Sequence, residues 1–280
     1  METILYPAST IAPARPGRLK QHLLRAALAT AILILLVWSW IGTEMNLSEL
    51  VRSGPGIADF LDRMFPPDLA WRTDEARPFP LPLRLAGSVV GVTLQISLLG
   101  TAMGTLAALL LGLIAAENLT PQWVHHPVKI ILALLRSIPV LLLALLFVAA
   151  VGLGPFPGVL AIAIHSIGML GKLFAEECET ADRGVWEAMD SAGANWPQKI
   201  RYAIWPQVAP QLCSLTLFRL EMNIRDSAVL GFVGVAGLGL WIENYRRAFQ
   251  YPSLATMVIV TMLLVLAVDQ ISFHIRRRLQ

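Results

Sequence analysis

Apolar stretches of about twenty residues recur along this chain of 280, at 26–42, 83–116, 130–151, 158–174, 209–233 and 254–275. Twenty residues of helix span the hydrocarbon core of a bilayer. In hydrocarbon every backbone N–H and C=O must be satisfied within the segment, so each stretch has to be a helix. The fold class expected is therefore an all-α polytopic membrane protein of about six transmembrane helices. Charge agrees: only 15% of residues are charged, against about a quarter in an ordinary soluble domain. The net charge of +3 is too small to imply nucleic acid as a partner.

Between the stretches the chain divides into recognisable pieces. Residues 1–24 form a polar tail with Arg15, Arg18 and Lys20, expected in the cytoplasm. The first span, 25–42, is long for a signal-peptide core, and no small-residue cleavage site follows it, so it is read as retained. Residues 43–82 hold Pro55, Pro66, Pro67, Pro78, Pro80 and Pro82, and are expected to be extracytoplasmic, with a short amphipathic helix at 57–64. Residues 83–275 carry five further spans, interrupted by a polar loop at 175–208, and 276–280 form a cytoplasmic end. In this topology twelve of the 22 basic residues fall inside and seven outside, with Arg136, Arg219 and Arg225 within spans. The excess agrees with the positive-inside rule and places both termini and loop 175–208 in the cytoplasm.

No catalytic constellation is visible. The nearest approach to a P-loop, Gly168-Met169-Leu170-Gly171-Lys172-Leu173, has the wrong spacing, lacks the hydroxyl and lies inside a span. Neither H-E-x-x-H nor G-x-S-x-G occurs, and adjacent His165 and Ser166 would point about 100° apart on a helix. Cys178 and Cys213 have no metal-ligand spacing, so no metal site is expected.

Three groups of residues stand out. In loop 175–208, Gly184 permits a turn into a short helix at 185–192, which Gly193 and Pro197 can end. A short helix held crosswise between turns is a rigid lever; composition alone also fits a solvated helix without a partner. Within spans, Arg136, Arg219, Glu221 and Arg225 are expensive, roughly 2.5–3.5 kcal/mol each at the bilayer centre. Glu221 and Arg225 stand in the favourable i,i+4 order. A neutralising structural pair and arginines lining an anion's route both fit, and His165 and Ser137 carry the same ambiguity between interhelical bonding and substrate contact. Finally, Gly231, Gly234, Gly237 and Gly239 follow the fifth span and fit either an external gate or a flexible loop.

The stretch Glu187-Ala188-Met189-Asp190-Ser191-Ala192-Gly193, followed by Pro206, resembles the "EAA" loop of ABC-transporter permeases. Met189 replaces the third alanine and Ala203 stands where isoleucine is usual; both stay apolar. Further segments, among them Arg136-Ser137-Ile138-Pro139, Ile164-His165-Ser166, Phe65-Pro66-Pro67-Asp68 and Phe218 to Arg225 followed by Val229 to Gly234, resemble the phosphonate/phosphite permease family. The match covers most of residues 26–275. The resemblance implies the type I ABC importer permease fold of the methionine-permease-like group, with a cytoplasmic coupling helix in which Glu187, Ala188, Gly193 and Pro206 engage an ATPase. It implies no cofactor in this chain, ATP and Mg being held by two partner ABC ATPase subunits. A second copy of the chain, an extracytoplasmic substrate-binding protein and the bacterial inner membrane complete the picture. The expected cargo is phosphonate, phosphite or a related phosphorus oxyanion. The alternative is another small solute, such as methionine or a quaternary amine; a cation would need an aromatic cage, whereas these spans offer arginines. An ATPase-independent membrane enzyme or ion-coupled transporter is the remaining rival, disfavoured by the missing catalytic groups and by the lever.

Overall fold

A computed structural model describes residues 18–43, 46–69 and 81–279. The expected tail up to residue 17 and the proline-rich stretch 70–80 lie outside the described residues. The chain separates into a smaller unit ending at Asp59 and a larger one from Phe60 to Gln280.

The smaller unit holds α1 (Arg18–Gly42), α2 (Leu47–Arg52) and the first half of α3 (Gly54–Met64). Helix α1 starts seven residues before the expected span, because Arg18–Lys20 are good helix formers and extend it. Asn46 caps α2 by accepting from Ser48 N at 3.0 Å. The expected helix at 57–64 is α3, begun three residues earlier.

The larger unit continues with α4 (Pro82–Ala115), α5 (Gln122–Ser137), α6 (Val140–Val151), α7 (Pro155–Glu179), α8 (Arg183–Ser191) and α9 (Trp196–Lys199). A wide turn at Ile200–Ile204 leads into α10 (Trp205–Leu230), then a short 3₁₀ turn, α11 (Leu238–Arg247) and α12 (Tyr251–Leu279). Helix α7 carries Glu176, Glu177 and Glu179, so the polar loop begins at Thr180 rather than at 175.

Helices α4 and α7 form the spine. Small residues recur every four positions on α4, at Gly100, Gly104, Ala108 and Gly112, and α7 closes onto them. A Cβ at Gly100 would stand 2.7 Å from Ile162, one at Gly104 2.6 Å from Ser166 Cβ, and one at Gly112 2.8 Å from Phe174. Without hydrophobic force between helices in lipid, such close backbone approach is what drives association. The contacts keep step along both helices, so α4 and α7 run parallel.

Parallel α4 and α7 explain the third apolar stretch. Helices α5 and α6 are bent by 84° at Ile138-Pro139 and form one broken element. The chain must return across the same thickness between the two parallel helices, so the bent pair is a crossing and not a re-entrant loop. Among the described residues, four single helices are long and apolar enough to cross a membrane, five counting this pair. Helix α10, expected as a span at 209–233, has 26 residues but fails on composition, because Arg219, Glu221, Arg225 and Asp226 sit on it. Its packing follows α7 in the opposite sense: Val208 and Leu212 cluster with Phe174 and Cys178, and Leu230 with Val159 and Ile162.

At the end of the bundle where α4 begins, α11 presents a buried carboxylate. Glu243 accepts from Arg246 at 2.7 and 2.8 Å and from Arg247 at 2.6 Å. These hydrogen bonds hold its carboxyl down at about 2. Burial, with Asp68 nearby, pushes the Tyr245 hydroxyl up to about 12. Asp68 ties the Phe65–Asp68 segment to α12: its N–H donates to Pro252 O, and its carbonyl accepts from Thr256 Oγ1 at 2.9 Å.

Two outcomes follow. Gly104→Leu has nowhere to put its side chain against Ser166 and the Ala163 carbonyl, so the purified protein should lose at least the 1–3 kcal/mol of an overpacked core. Gly87→Ala, facing open space, should not lower the melting temperature; equal effects would refute the seam. Because the Glu243 carboxyl is depressed from its ordinary 4.5 to about 2, its contribution is present above 4.5 and lost as pH falls toward 2. The melting-temperature gap between wild type and Glu243→Gln should therefore persist at pH 4 and close only near pH 2; closure at pH 4–5 would contradict the clamp.

Candidate functional site

The helix singled out by sequence is α8, and it is braced at both ends. Asp182 caps it, accepting from Gly184 N at 2.8 Å. The Asp182 N–H donates to Gln207 Oε1 at 2.9 Å, and Gln207 Nε2 donates to Ala203 O at 2.7 Å, which ties the cap to α10. Gly184 thus lies inside the first helical turn rather than forming the turn before it. At the other end Gly193 takes φ 75, the left-handed conformation that glycine adopts without strain. Its N–H donates to Asp190 O at 2.9 Å, and Ala194 N to Met189 O at 3.0 Å. Pro197 does not end this helix; it opens α9, where Asn195 and Gln198 form a reciprocal capping box.

Helix α9 locks α8 to the bundle. Lys199 pairs with Asp190 and lies over the Trp186 ring, 4.9 Å from its centroid. Trp196 Nε1 donates to Leu119 O at 3.0 Å. Trp186 packs against the buried cluster that holds Leu119, Phe174, Ala181 and Ile204. The opposite face, with Val185, Glu187, Ala188 and Ala192, is exposed. Met189 turns partly inward and Ala203 is buried, so neither lies on that free face. Pro206 follows the wide turn: Trp205 N reaches Ile200 O, five residues back. Proline cannot donate to the carbonyl four residues back and its ring would crowd it, and an expanded turn relieves that conflict.

Beneath the lever, Lys129 bridges Glu117 at 2.7 Å and Glu179 at 2.9 Å. Its hydrogen bond and charge hold the Glu117 carboxyl below the usual carboxylate range. Asn118 Nδ2 donates to Cys178 O at 2.8 Å. A cavity of about 280 Å³ lies against α8, lined by Asn118, Asp182, Arg183, Trp186, Glu187 and Ile204.

The intramembrane charges form two groups. Arg219 is 3% exposed; its Nε donates to Ser166 Oγ at 3.2 Å, and its NH2 lies 3.8 Å from Asp226. Asn223, one turn on, donates to Ser166 Oγ at 3.0 Å and Thr101 Oγ1 at 2.7 Å. Thr101, Ser97 and Thr93 continue this polar seam down α4. Glu221 is gripped from α12 by Arg276 at 3.2 Å, closer than Arg225 at 3.9 Å. Arg225 is exposed. His165 meets neither group by hydrogen bond: its Nδ1 donates to Ile138 O at 3.1 Å and pins the α5–α6 bend. At that bend Arg136 and Ser137 are exposed, and Ser137 donates to Leu134 O at 2.8 Å.

The glycine segment 231–239 is no loose loop. A Cβ on Gly231 would stand 1.9 Å from Gly239 C, and one on Gly239 1.9 Å from Ala228 O. Gly234 and Gly237 have φ 91 and 124. A parallel bridge joins Val235 to Gly154, and Leu238 N donates to Thr93 Oγ1 at 3.0 Å. Sequence reasoning missed Asn223, Lys199 and Arg276 as partners; Asn223 stands at i+4 from Arg219 and was legible there.

Comparison with known proteins agrees with this architecture. Residues 108–280 match the family model "Binding-protein-dependent transport system inner membrane component". The chain is 33% identical to a phosphite transport system permease protein, PtxC, of Stutzerimonas stutzeri, over 94% of this chain and 96% of that one. It is 36% identical to the putative phosphite permease protein HtxC of the same organism, over 93% and 88%. Its fold is similar to a chain in an inward-facing structure of the MetNI methionine ABC transporter, with TM-score 0.63 and 21% identity, covering 71% of this chain and 97% of that one. The family comprises transport components and not catalytic subunits, and its members are multi-pass proteins of the inner membrane. The chain belongs to the family of binding-protein-dependent transport system inner membrane components.

Proposed function

We propose that this chain is the permease subunit of an ATP-driven importer for phosphite, a phosphonate or a related phosphorus oxyanion. The observation that carries the reading is one-third identity to a phosphite permease over nearly the whole of both chains, joined to a braced lever with a free face. In this reading α10 is the sixth crossing, both termini and α8 are cytoplasmic, and two copies of the chain pair around the path. Two ABC ATPase subunits, which hold ATP and Mg, dock on Glu187 and Ala188; Gly193 and Pro206 shape the ends of the lever. An extracytoplasmic binding protein delivers the anion.

Closure of the ATPase pair presses on α8. Because Asp182–Gln207, Lys199–Asp190 and Trp196–Leu119 tie the lever to α10, α9 and the α4–α5 turn, the displacement passes into the bundle instead of being absorbed locally. Arg219 and Asn223, at the α4–α7–α10 junction, and Arg136 and Ser137, at the bend, would then meet the anion. Glu221 and His165 are held as positioning groups, and the segment holding Gly231, Gly234, Gly237 and Gly239 would close the outer end. Methionine as cargo has weaker support: a probable D-methionine permease protein is 25% identical over 66% of this chain, and the fold likeness to the methionine transporter is at 21% identity.

The test is ATP hydrolysis by the reconstituted complex with binding protein loaded by phosphite. Stimulation is expected, and Glu187→Ala should abolish it; an ATPase that ignores phosphite-loaded protein but responds to methionine would overturn the substrate. Lys199→Met should keep the ATPase bound yet lower phosphite taken up per ATP by roughly 5-fold or more, the scale of ordinary inter-site coupling. An unchanged uptake ratio would show that the strap transmits nothing.

A further inference from the structure

A cavity of about 440 Å³ opens between α5 and α7, a volume in the range that encloses small-molecule ligands. Buried Leu132 and Ala175 line it from within, and exposed Ile130 and Ala133 line it at the surface. The two helices run in opposite senses. A Cβ on Gly171 would meet Leu132, whereas one on Gly168, a turn earlier, would meet the Arg136 backbone, a turn later. His126 and Glu179 therefore mark one end of the cavity, and Ala133 and Lys172 the other. The seven residues between these ends rise about 10 Å along either helix.

The depth of that axis in the membrane can be read from its surroundings. Trp123, one turn before His126, is 79% exposed. Tryptophan at the end of a crossing helix sits at the level of the lipid headgroups. Beside the other end, Ile131 and Leu134 are exposed, as side chains facing hydrocarbon are. The cavity thus runs from the headgroup layer into the acyl layer, and a water-soluble partner does not reach its deep end.

Charge is ordered along the same axis. Lys172 is the deepest charged group, and its ammonium makes no hydrogen bond among the described residues; Glu176 stands 3.5 Å away. Glu176 lies one turn nearer the water, and Glu117 lies at the rim. Both are exposed, and each keeps a carboxylate oxygen free of hydrogen bonds among the described residues. Lys129 adds no spare cation, because Glu117 and Glu179 engage it. From the acyl layer outward the cavity offers an ammonium, then carboxylates one turn above it, about 5.4 Å. The complement is a zwitterion with a deep phosphate and a primary ammonium a short link nearer the water. A wholly basic pocket is what anionic lipids take; here an anionic headgroup would face carboxylates with nothing to offer them. A trimethylated ammonium has no N–H to donate to them.

We propose that the α5–α7 cavity is a binding site for one phosphatidylethanolamine, with Lys172 on the phosphate, Glu176 and Glu117 on the ammonium, and the acyl chains running down past Ile130 and Ala133. The site has a bearing on the lever. Glu117 and Lys129 brace the α4–α5 turn, and the same turn receives Trp196 through Leu119 O. A bound headgroup therefore stiffens the shelf on which α8 rests. The inference goes beyond the importer reading and holds whatever the cargo.

The experiment equilibrates the complete transporter in detergent with equal amounts of dioleoyl phosphatidylethanolamine, phosphatidylcholine and phosphatidylglycerol, and reads the retained lipid by native mass spectrometry. Wild type should retain phosphatidylethanolamine about tenfold over the other two, the worth of one hydrogen bond to a charged group. Glu176→Gln should erase that preference, and Lys172→Gln should lower retention by a similar factor. Ala133→Trp, which fills the cavity, should remove the retained lipid. The melting temperature in lipid-free detergent should match wild type for all three, so that lost retention is not lost fold. Equal retention of the three lipids, or retention that the variants leave unchanged, overturns the site. Displacement of the lipid by an equal concentration of glycerophosphoethanolamine assigns the cavity to a soluble zwitterion and overturns the lipid. Variants that keep the lipid but shed an ATPase or a second copy make the cavity a protein interface, which also overturns it. No arm uses phosphite, so a transporter that ignores phosphite-loaded binding protein sinks the substrate reading and leaves this one to be judged by the same variants.

Discussion

Everything in the larger unit hangs on the contact between α4 and α7. Gly100, Gly104 and Gly112 bring two backbones within a side chain's breadth of each other, and the parallel course of the two helices follows from the step-for-step contact. From that one fact come the obligatory return crossing through α5–α6, the junction at which α10 can insert Arg219 and Asn223, and the shelf on which the lever rests. Dispersion over closely packed backbone does here what the hydrophobic effect does in water.

The polar seam is intelligible in the same terms. An arginine in hydrocarbon survives when donors and acceptors surround it, and Arg219 sits where Ser166 of α7 and Asp226 of its own helix converge on it. Glu221 solves the same problem by reaching a terminal arginine of α12. The two groups answer differently to motion. A shift between α7 and α10 disturbs the first, and a shift between α10 and α12 the second. The belonging of this chain to a transport family gives that difference a use.

Much of this architecture was legible in the amino-acid sequence because bilayer thickness and helix rise leave few choices: all six apolar stretches reappear as helices or a bent pair, and five of them are long and apolar enough to cross a membrane. The exception, α10, is a continuous helix all the same, and its charges obscure it to any hydropathy measure. Boundaries were less legible. The acidic run Glu176–Glu179 looks like loop, yet it simply continues α7 beyond the apolar part. The lever's outline was visible in Glu187, Ala188 and Gly193, but its bracing was not. Lys199 meets Trp186 and Asp190 only once α9 has folded back, and pairs distant in sequence leave no local pattern. Pro197 misled because proline closes one helix and opens the next equally well.

The wide turn at Ile200–Ile204 has a consequence for how this region tolerates change in length. It holds one residue more than a regular helix needs, and that residue rotates everything before it by about 100° relative to α10. The direction in which α8 presents its free face is thus set by a count of residues rather than by their identities. Substitutions at the exposed Arg201 and Tyr202 keep that count, whereas losing or gaining a single residue swings the lever toward a different side of the bundle. The stretch is therefore a vernier, and its length is the quantity on which the direction of the lever depends.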